Sequence, residues 1–211
     1  MGLSGIFLYL FLLIHLVGNI GLLEGPEYFN SYGHLMLHTL AKVIYPIEVV
    51  LTIAFLLHMG LGIKLAIENR SARDSRYAVT ASKRGTSPFS RFMALTGSWL
   101  LVFVMVHVPH FRMGLIGNET TVIYEGVEMR DLYGAVMDAF SSGWYTAFYI
   151  FSFLVIAAHL AHGVQSSFQS LGFNHPRYNL FIQRSSKAYA VVISGGFSAI
   201  AIWAFIKSGG L

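Results

Sequence analysis

The 211-residue chain has no cysteine, which excludes disulfides, thiolate metal ligands and cysteine-held iron–sulfur clusters. Charge is scarce as well. Only 11% of residues are Asp, Glu, Lys or Arg, against roughly 25% in a soluble domain, too few to coat a water-facing surface. Hydrophobic residues make up 55% and the mean hydropathy is +0.61, so the chain must face lipid. The basic balance, with a pI of 9.4, does not point to nucleic acid, because the cations are segregated by loop in a membrane-topology pattern. At this length one domain, residues 1–211, is the natural count.

A membrane span needs about 20 predominantly apolar residues, and five segments qualify. Segment I runs from the start to about Leu23 without a charge, and segment II covers about Val43 to Ile67. Segment III runs from about Phe92 to Phe111, segment IV from about Trp144 to Gln169, and segment V from about Ala188 to Ile206. The ten-residue alternating stretches of a membrane barrel are not present. Segment I lacks a basic n-region and is longer than the apolar core of a signal peptide, so it reads as a true span. The fold class expected is therefore all-α, an integral membrane bundle of five transmembrane helices.

Lysine and arginine counts set the orientation. The II–III connection carries Lys64, Arg70, Arg73, Arg76, Lys83, Arg84 and Arg91, and the IV–V connection carries Arg177, Arg184 and Lys187. The opposite side has only Lys42, Arg112, Arg130 and Lys207, beside Glu24, Glu27, Glu119, Glu125, Glu128, Asp131 and Asp138. The two basic loops are expected in the cytoplasm, which puts the N-terminus inside and the C-terminus outside.

Nine histidines are many for so apolar a chain, and intramembrane ionisable groups usually mark function. Four of them fall into a repeat that relates segments I–II to segments III–IV. Met1-Gly-Leu-Ser-Gly5 is followed by nine residues and then His15; Met93-Ala-Leu-Thr-Gly97 is followed by nine and then His107. In segments II and IV a histidine precedes a glycine by four: His58 with Gly62, and His159 with Gly163. Positions i and i+4 share a helix face. The glycine removes a side chain beneath the imidazole, so that a flat macrocycle or a neighbouring helix can approach.

Depth sorts the four into two pairs. His15 lies about 21 Å along an outward helix at 1.5 Å per residue, and His107 lies at similar depth on another. Segments II and IV run inward and their histidines come late, which places His58 and His159 in the inner half. Two imidazoles from different helices facing across a gap suit a six-coordinate haem, whose filled axial positions favour electron transfer over oxygen chemistry. The layers would stand roughly 10–15 Å apart on the same rise, a distance suited to electron hopping. Zinc prefers four clustered ligands, which two layers of two do not supply. A histidine proton relay would not explain the pairing by depth.

The chain resembles the diheme cytochrome b membrane-anchor subunit of succinate dehydrogenases and quinol:fumarate reductases. The resemblance rests on Leu13-Ile14-His15-Leu16-Val17-Gly18-Asn19, on Phe29-Asn30-Ser31 with His34 and Met36, and on His58-x-x-x-Gly62. It continues through Phe103-Val104-Met105-Val106-His107-Val108, His159-Leu-Ala-His-Gly163 and Gly172-Phe-Asn-His-Pro-Arg177-Tyr178. It implies an anchor for a flavoprotein subunit and an iron–sulfur subunit on the cytoplasmic side of a bacterial or archaeal cytoplasmic membrane. It also implies two haem b groups, the distal held by His15 and His107 and the proximal by His58 and His159. The quinone, commonly menaquinone in diheme members, would exchange electrons near the distal haem. Family members usually have a short cytoplasmic prefix before the first span, whereas this sequence starts inside it. Some fumarate reductases of the family place a glutamate two residues before the segment IV ligand. Here that position is Ala157, so the resemblance does not extend to a glutamate-based proton path.

Quinone reduction takes up two protons, so its site needs a carboxylate or imidazole within reach of the carbonyls. His34 and Glu27, on the outer face, are the quinone candidates. Glu48, near the head of segment II, is open to a structural hydrogen bond or a proton-entry role. His162 competes with His159, but only His159 reproduces the glycine spacing of His58. His110 is expected near the outer surface, meeting water or a haem propionate. The run Arg70-Ser-Ala-Arg73-Asp-Ser-Arg76 could bind anionic lipid. No residue of this chain is assigned to dicarboxylate chemistry. Two other functions stay open: a diheme quinol-oxidising cytochrome b of the nitrate reductase or hydrogenase type, and a haem-free small membrane transporter.

Overall fold

The computed structural model describes residues 1–71, 92–117 and 120–210. The cations Arg73, Arg76, Lys83, Arg84 and Arg91, together with Glu119, lie outside the described residues. Among the described residues, five helices are long and apolar enough to cross a membrane. The first, α1 (Gly2–Ile20), ends in a 3-10 turn over Gly21–Glu24. A short helix α2 (Pro26–His34) and a wide π turn (Leu35–Thr39) lead into the long α3 (Ala41–Ser71). The third span is α4 (Met93–His107), continued by a second π turn over Val108–Arg112. Then come a hairpin of β1 (Thr121–Tyr124) and β2 (Val127–Arg130), a short helix α5 (Leu132–Ser141), and the long helices α6 (Gly143–Ser170) and α7 (Pro176–Lys207).

Spans I to IV lie close to where apolar run length puts them, but span V differs. Its helix starts at Pro176 rather than near Ala188. His175 caps it by accepting the Arg177 backbone N–H at 3.2 Å, Pro176 suits the first turn, and no glycine or further proline follows before Gly195. Its 32 residues make a rod of about 48 Å, longer than the roughly 30 Å hydrocarbon core. Arg177, Arg184 and Lys187 thus sit on a protruding helical stem, where they were expected in a connecting loop.

Helices α6 and α7 pack most extensively and form the core. Tyr149, Phe153, Ile156, Leu160 and Val164 line one face of α6 at helical spacing, against Ala190, Ile193, Phe197, Ala201 and Ala204 of α7. The small residues on α7 let the backbones approach, as membrane helix contacts require, and Ser194 donates across to the Phe153 carbonyl at 2.7 Å. Helix α3, by contrast, has no buried residue among those described. It stands at the edge of the bundle, touching α1 and α4.

The hairpin and the two short helices, on the side opposite the II–III connection, have no apolar run to announce them. The hairpin turns at Glu125 and Gly126, both at positive φ (51° and 80°), the conformation that a tight two-residue hairpin turn demands. Asn30, 1% exposed, ties α2 to α5: its Nδ2 donates to Asp131 Oδ1 at 2.9 Å, and its Oδ1 accepts the Tyr133 N–H at 2.8 Å.

Candidate metal centres between the spans

Both halves of the repeat build one contact in duplicate. Ser4 and Thr96 occupy the same place in their stretches, each just before a glycine. Ser4 Oγ stands 3.3 Å from His58 Nδ1, and Thr96 Oγ1 stands 3.0 Å from His159 Nδ1. Each hydroxyl has a single hydrogen, which it gives to its own first turn: Ser4 donates to the Met1 carbonyl at 2.9 Å, Thr96 to the Phe92 carbonyl at 3.0 Å. With the hydroxyl hydrogens so placed, the imidazoles donate from Nδ1, and the Nε2 lone pair is then kept, which is the state a metal ligand needs. The methionines repeat as well. A Cβ at Gly62 would lie 3.3 Å from the Met1 methyl, and one at Gly163 would lie 3.9 Å from the Met93 methyl and 2.9 Å from the Tyr9 hydroxyl. Of the two uses open to these glycines, admitting a neighbouring helix is therefore met by side chains of α1 and α4.

The structure brings the four histidines together as two pairs. The rings of His58 and His159 stand 6.3 Å apart between centres at 65°, and those of His15 and His107 stand 5.8 Å apart at 86°. A metal–imidazole nitrogen bond is about 2.0 Å. With each nitrogen about 1.1 Å from its ring centre, two imidazoles on one metal have centres about 6.2 Å apart. Both pairs fit that spacing. His159, rather than His162, faces His58. No cluster of three or more His, Asp or Glu converges among the described residues.

The His15–His107 pair sits in aromatic surroundings. His15 stacks on Phe11 at 5.2 Å and lies 5.6 Å from Phe197; His107 stacks on Phe103 at 5.4 Å. The Asn19 amide donates to the His15 carbonyl at 2.8 Å and lies 3.4 Å from its Nδ1. Tyr149 Oη is 3.1 Å from His107 Nδ1. His110, in the π turn after α4, is 6% exposed, stacked on Phe111 at 4.4 Å, 2.6 Å from Tyr145 Oη, and lines a water-sized pocket.

Around α2 and α3 the candidate polar residues separate. His34 stacks on His38 at 4.4 Å, and its buried Nδ1 has no hydrogen-bond partner. Glu27 is exposed in the first turn of α2, whereas His34 ends that helix; seven residues of rise put them about 10 Å apart along the axis. They do not converge on one point. Glu48 makes a two-pronged ion pair with Arg112, Nε to Oε1 at 2.7 Å and the terminal nitrogen to Oε2 at 2.9 Å. This joins α3 to the end of span III, on the helix face that also carries Tyr45, Val49, Thr52 and Ile53. Between the two uses left open for Glu48, the structural bond is present.

Sequence reasoning missed Ser4, Thr96, Asn19 and Tyr149 as partners of the histidines. The first two were visible as the hydroxyl position of the repeat; nothing in local sequence marks Tyr149. Neither a search of curated proteins nor one of solved structures returned a match. Residues 1–83, which hold the first two spans, do match a family described as the succinate dehydrogenase/fumarate reductase transmembrane subunit, the same family that the histidine motifs of the whole chain resemble.

Proposed function

We propose that this chain is the membrane anchor of a succinate dehydrogenase or fumarate reductase and carries electrons through two b-type haems to a membrane quinone, most simply menaquinone. His15 and His107 would hold the distal haem, His58 and His159 the proximal one. The duplicated hydroxyl-to-imidazole contact carries this reading: a chain with no use for Nε2 lone pairs has no reason to repeat it in both halves. Haem supplies one-electron redox chemistry when bound. The chain's own residues fix ring orientation and tautomer, exclude water with Phe11, Phe103 and Phe197, and present paired donors at two levels.

Flavoprotein and iron–sulfur subunits would dock on the basic side, which charge distribution makes cytoplasmic, and electrons would pass through the inner pair first. Dicarboxylate chemistry would remain on those partners. The buried, unpartnered Nδ1 of half-buried His34 favours a quinone carbonyl beside it, with Glu27, two turns away, exchanging protons at the exposed end of α2.

The decisive experiment is purification in mild detergent, with quantitative haem extraction and an optical spectrum of the reduced protein. Two low-spin haems per chain, co-purifying with a flavoprotein and an iron–sulfur protein, is the expected result. Two haems with nitrate reductase or hydrogenase partners would favour the sister class of cytochromes, and a haem-free chain would favour a transporter. Replacing His34 and Glu27 one at a time, with quinone-linked turnover compared against dye-linked turnover, tests the quinone seat.

A further inference from the structure

A chain of hydrogen bonds runs away from the His15–His107 pair through two tyrosines to a third buried imidazole. His107 Nδ1 lies 3.1 Å from Tyr149 Oη. Tyr145 Oη donates to Tyr149 Oη at 3.0 Å. His110 Nδ1 lies 2.6 Å from Tyr145 Oη. Tyr149 is 2% exposed and its ring stacks on that of Tyr145 at 4.7 Å, so the chain is built into the core. Beyond His110 lies a water-sized pocket lined by Thr120, Arg130, Asp131 and Asp138 among others.

The protons can be placed. Tyr145 gives its hydrogen to Tyr149, so its oxygen must accept from His110 Nδ1–H. If His107 binds a metal through Nε2, its proton is on Nδ1, and it donates to the same Tyr149 oxygen. That oxygen has two lone pairs and accepts twice. We infer that Tyr149 is the positioning residue of the His15–His107 centre, and that Tyr145, backed by His110, sets how strongly Tyr149 can accept from His107. The inference rests on the proposal that this pair holds a haem.

The consequence is electronic as well as steric. A ligating imidazole that donates its other N–H becomes a more basic ligand, and a more basic ligand favours the oxidised iron. Two donors on one oxygen compete, because each withdraws the density that the other seeks. Removing the Tyr149 hydroxyl and removing the Tyr145 hydroxyl should therefore act in opposite directions. Tyr149→Phe weakens the basicity of His107 and raises the midpoint potential of the distal component. Tyr145→Phe frees a lone pair on Tyr149, strengthens the bond from His107 and lowers that potential.

The test uses the intact complex, with redox titration of the optical spectrum and low-temperature electron paramagnetic resonance. The distal component is identified by its loss in His107→Ala, and the proximal component serves as the internal control. Opposite shifts confined to the distal component, with altered anisotropy of its low-spin signal in Tyr149→Phe from ring reorientation, are expected. A purely structural role for the tyrosines would move both variants alike, through loosened packing. Shifts of the same sign, or none, overturn the inference while leaving two haems in place. An intact complex with no component that depends on His107 overturns the inference and the haem assignment together.

Discussion

Thr96→Val tests the duplicated hydroxyl contact with little change of volume. Thr96 Oγ1 stands 3.0 Å from His159 Nδ1, well inside hydrogen-bond range, whereas Ser4 Oγ stands 3.3 Å from His58 Nδ1, just past the usual 2.7–3.2 Å for an N–H donor. Removing such a partner of a metal-binding histidine typically costs 10–100-fold in affinity, or about 1.4–2.8 kcal/mol at 1.4 per tenfold. Thr96→Val should fall toward the upper end and Ser4→Ala toward the lower, because the longer bond restrains its ring less. The assay is transfer of haem from the purified complex to excess apomyoglobin, followed at the wavelength of each component. The component held by His58 and His159 should transfer at least tenfold faster in Thr96→Val, the other component should keep its rate, and Thr96→Ser should restore the original behaviour. Equal transfer from both components, or a change under twofold, would refute the claim that this hydroxyl holds the His159 ring for ligation.

Replacing His15 or His107 by Ala should remove one and the same spectral component, and replacing His58 or His159 the other; loss of one component from both a His15 and a His58 variant would break the pairing. Glu48→Gln should lower stability by about 1.5–3 kcal/mol, the range for hydrogen bonds to charged groups. A double-mutant cycle with Arg112→Gln, followed by thermal unfolding in detergent, should return most of that as coupling energy. Asn30→Ala strands the Tyr133 N–H and one acceptor position of Asp131, and about 1–3 kcal/mol per stranded group should appear as faster proteolysis between the second short helix and the hairpin. Gly163→Ala should destabilise by about 1–3 kcal/mol through overpacking, because its new methyl meets a Tyr9 hydroxyl that is itself held 3.1 Å from Ser167 Oγ. Gly62→Ala should cost less, since it meets only the flexible end of Met1 at 3.3 Å; equal losses in the two would contradict the packing seen around Tyr9.

What the sequence made legible, and what it hid, divides along a physical line. The spans could be read because the bilayer imposes one rule on every residue in it: backbone groups must be satisfied within the helix, and side chains must tolerate hydrocarbon. That rule failed at span V, where the helix outran the membrane and polar residues from Arg177 to Lys187 continued it in water. The short helices and the hairpin were hidden because they lie outside the bilayer, where turn chemistry at Glu125 and Gly126 decides. The histidine pairs were legible because two halves of the chain repeat one spacing, and a repeat converts sequence order into depth. Ser4 and Thr96 lay inside that same repeat, and each sets its hydroxyl beside Nδ1 of one histidine. Tyr149 lay outside it. Its place beside His107 depends on how α6 packs against α4, a long-range contact with no local signature. Both centres therefore draw on that one packing: Thr96 of α4 reaches His159 of α6, and Tyr149 of α6 reaches His107 of α4. Substitutions that disturb the packing of α6 against α4, Ser152 and Trp99 among them with their 3.0 Å bond, should thus perturb both centres.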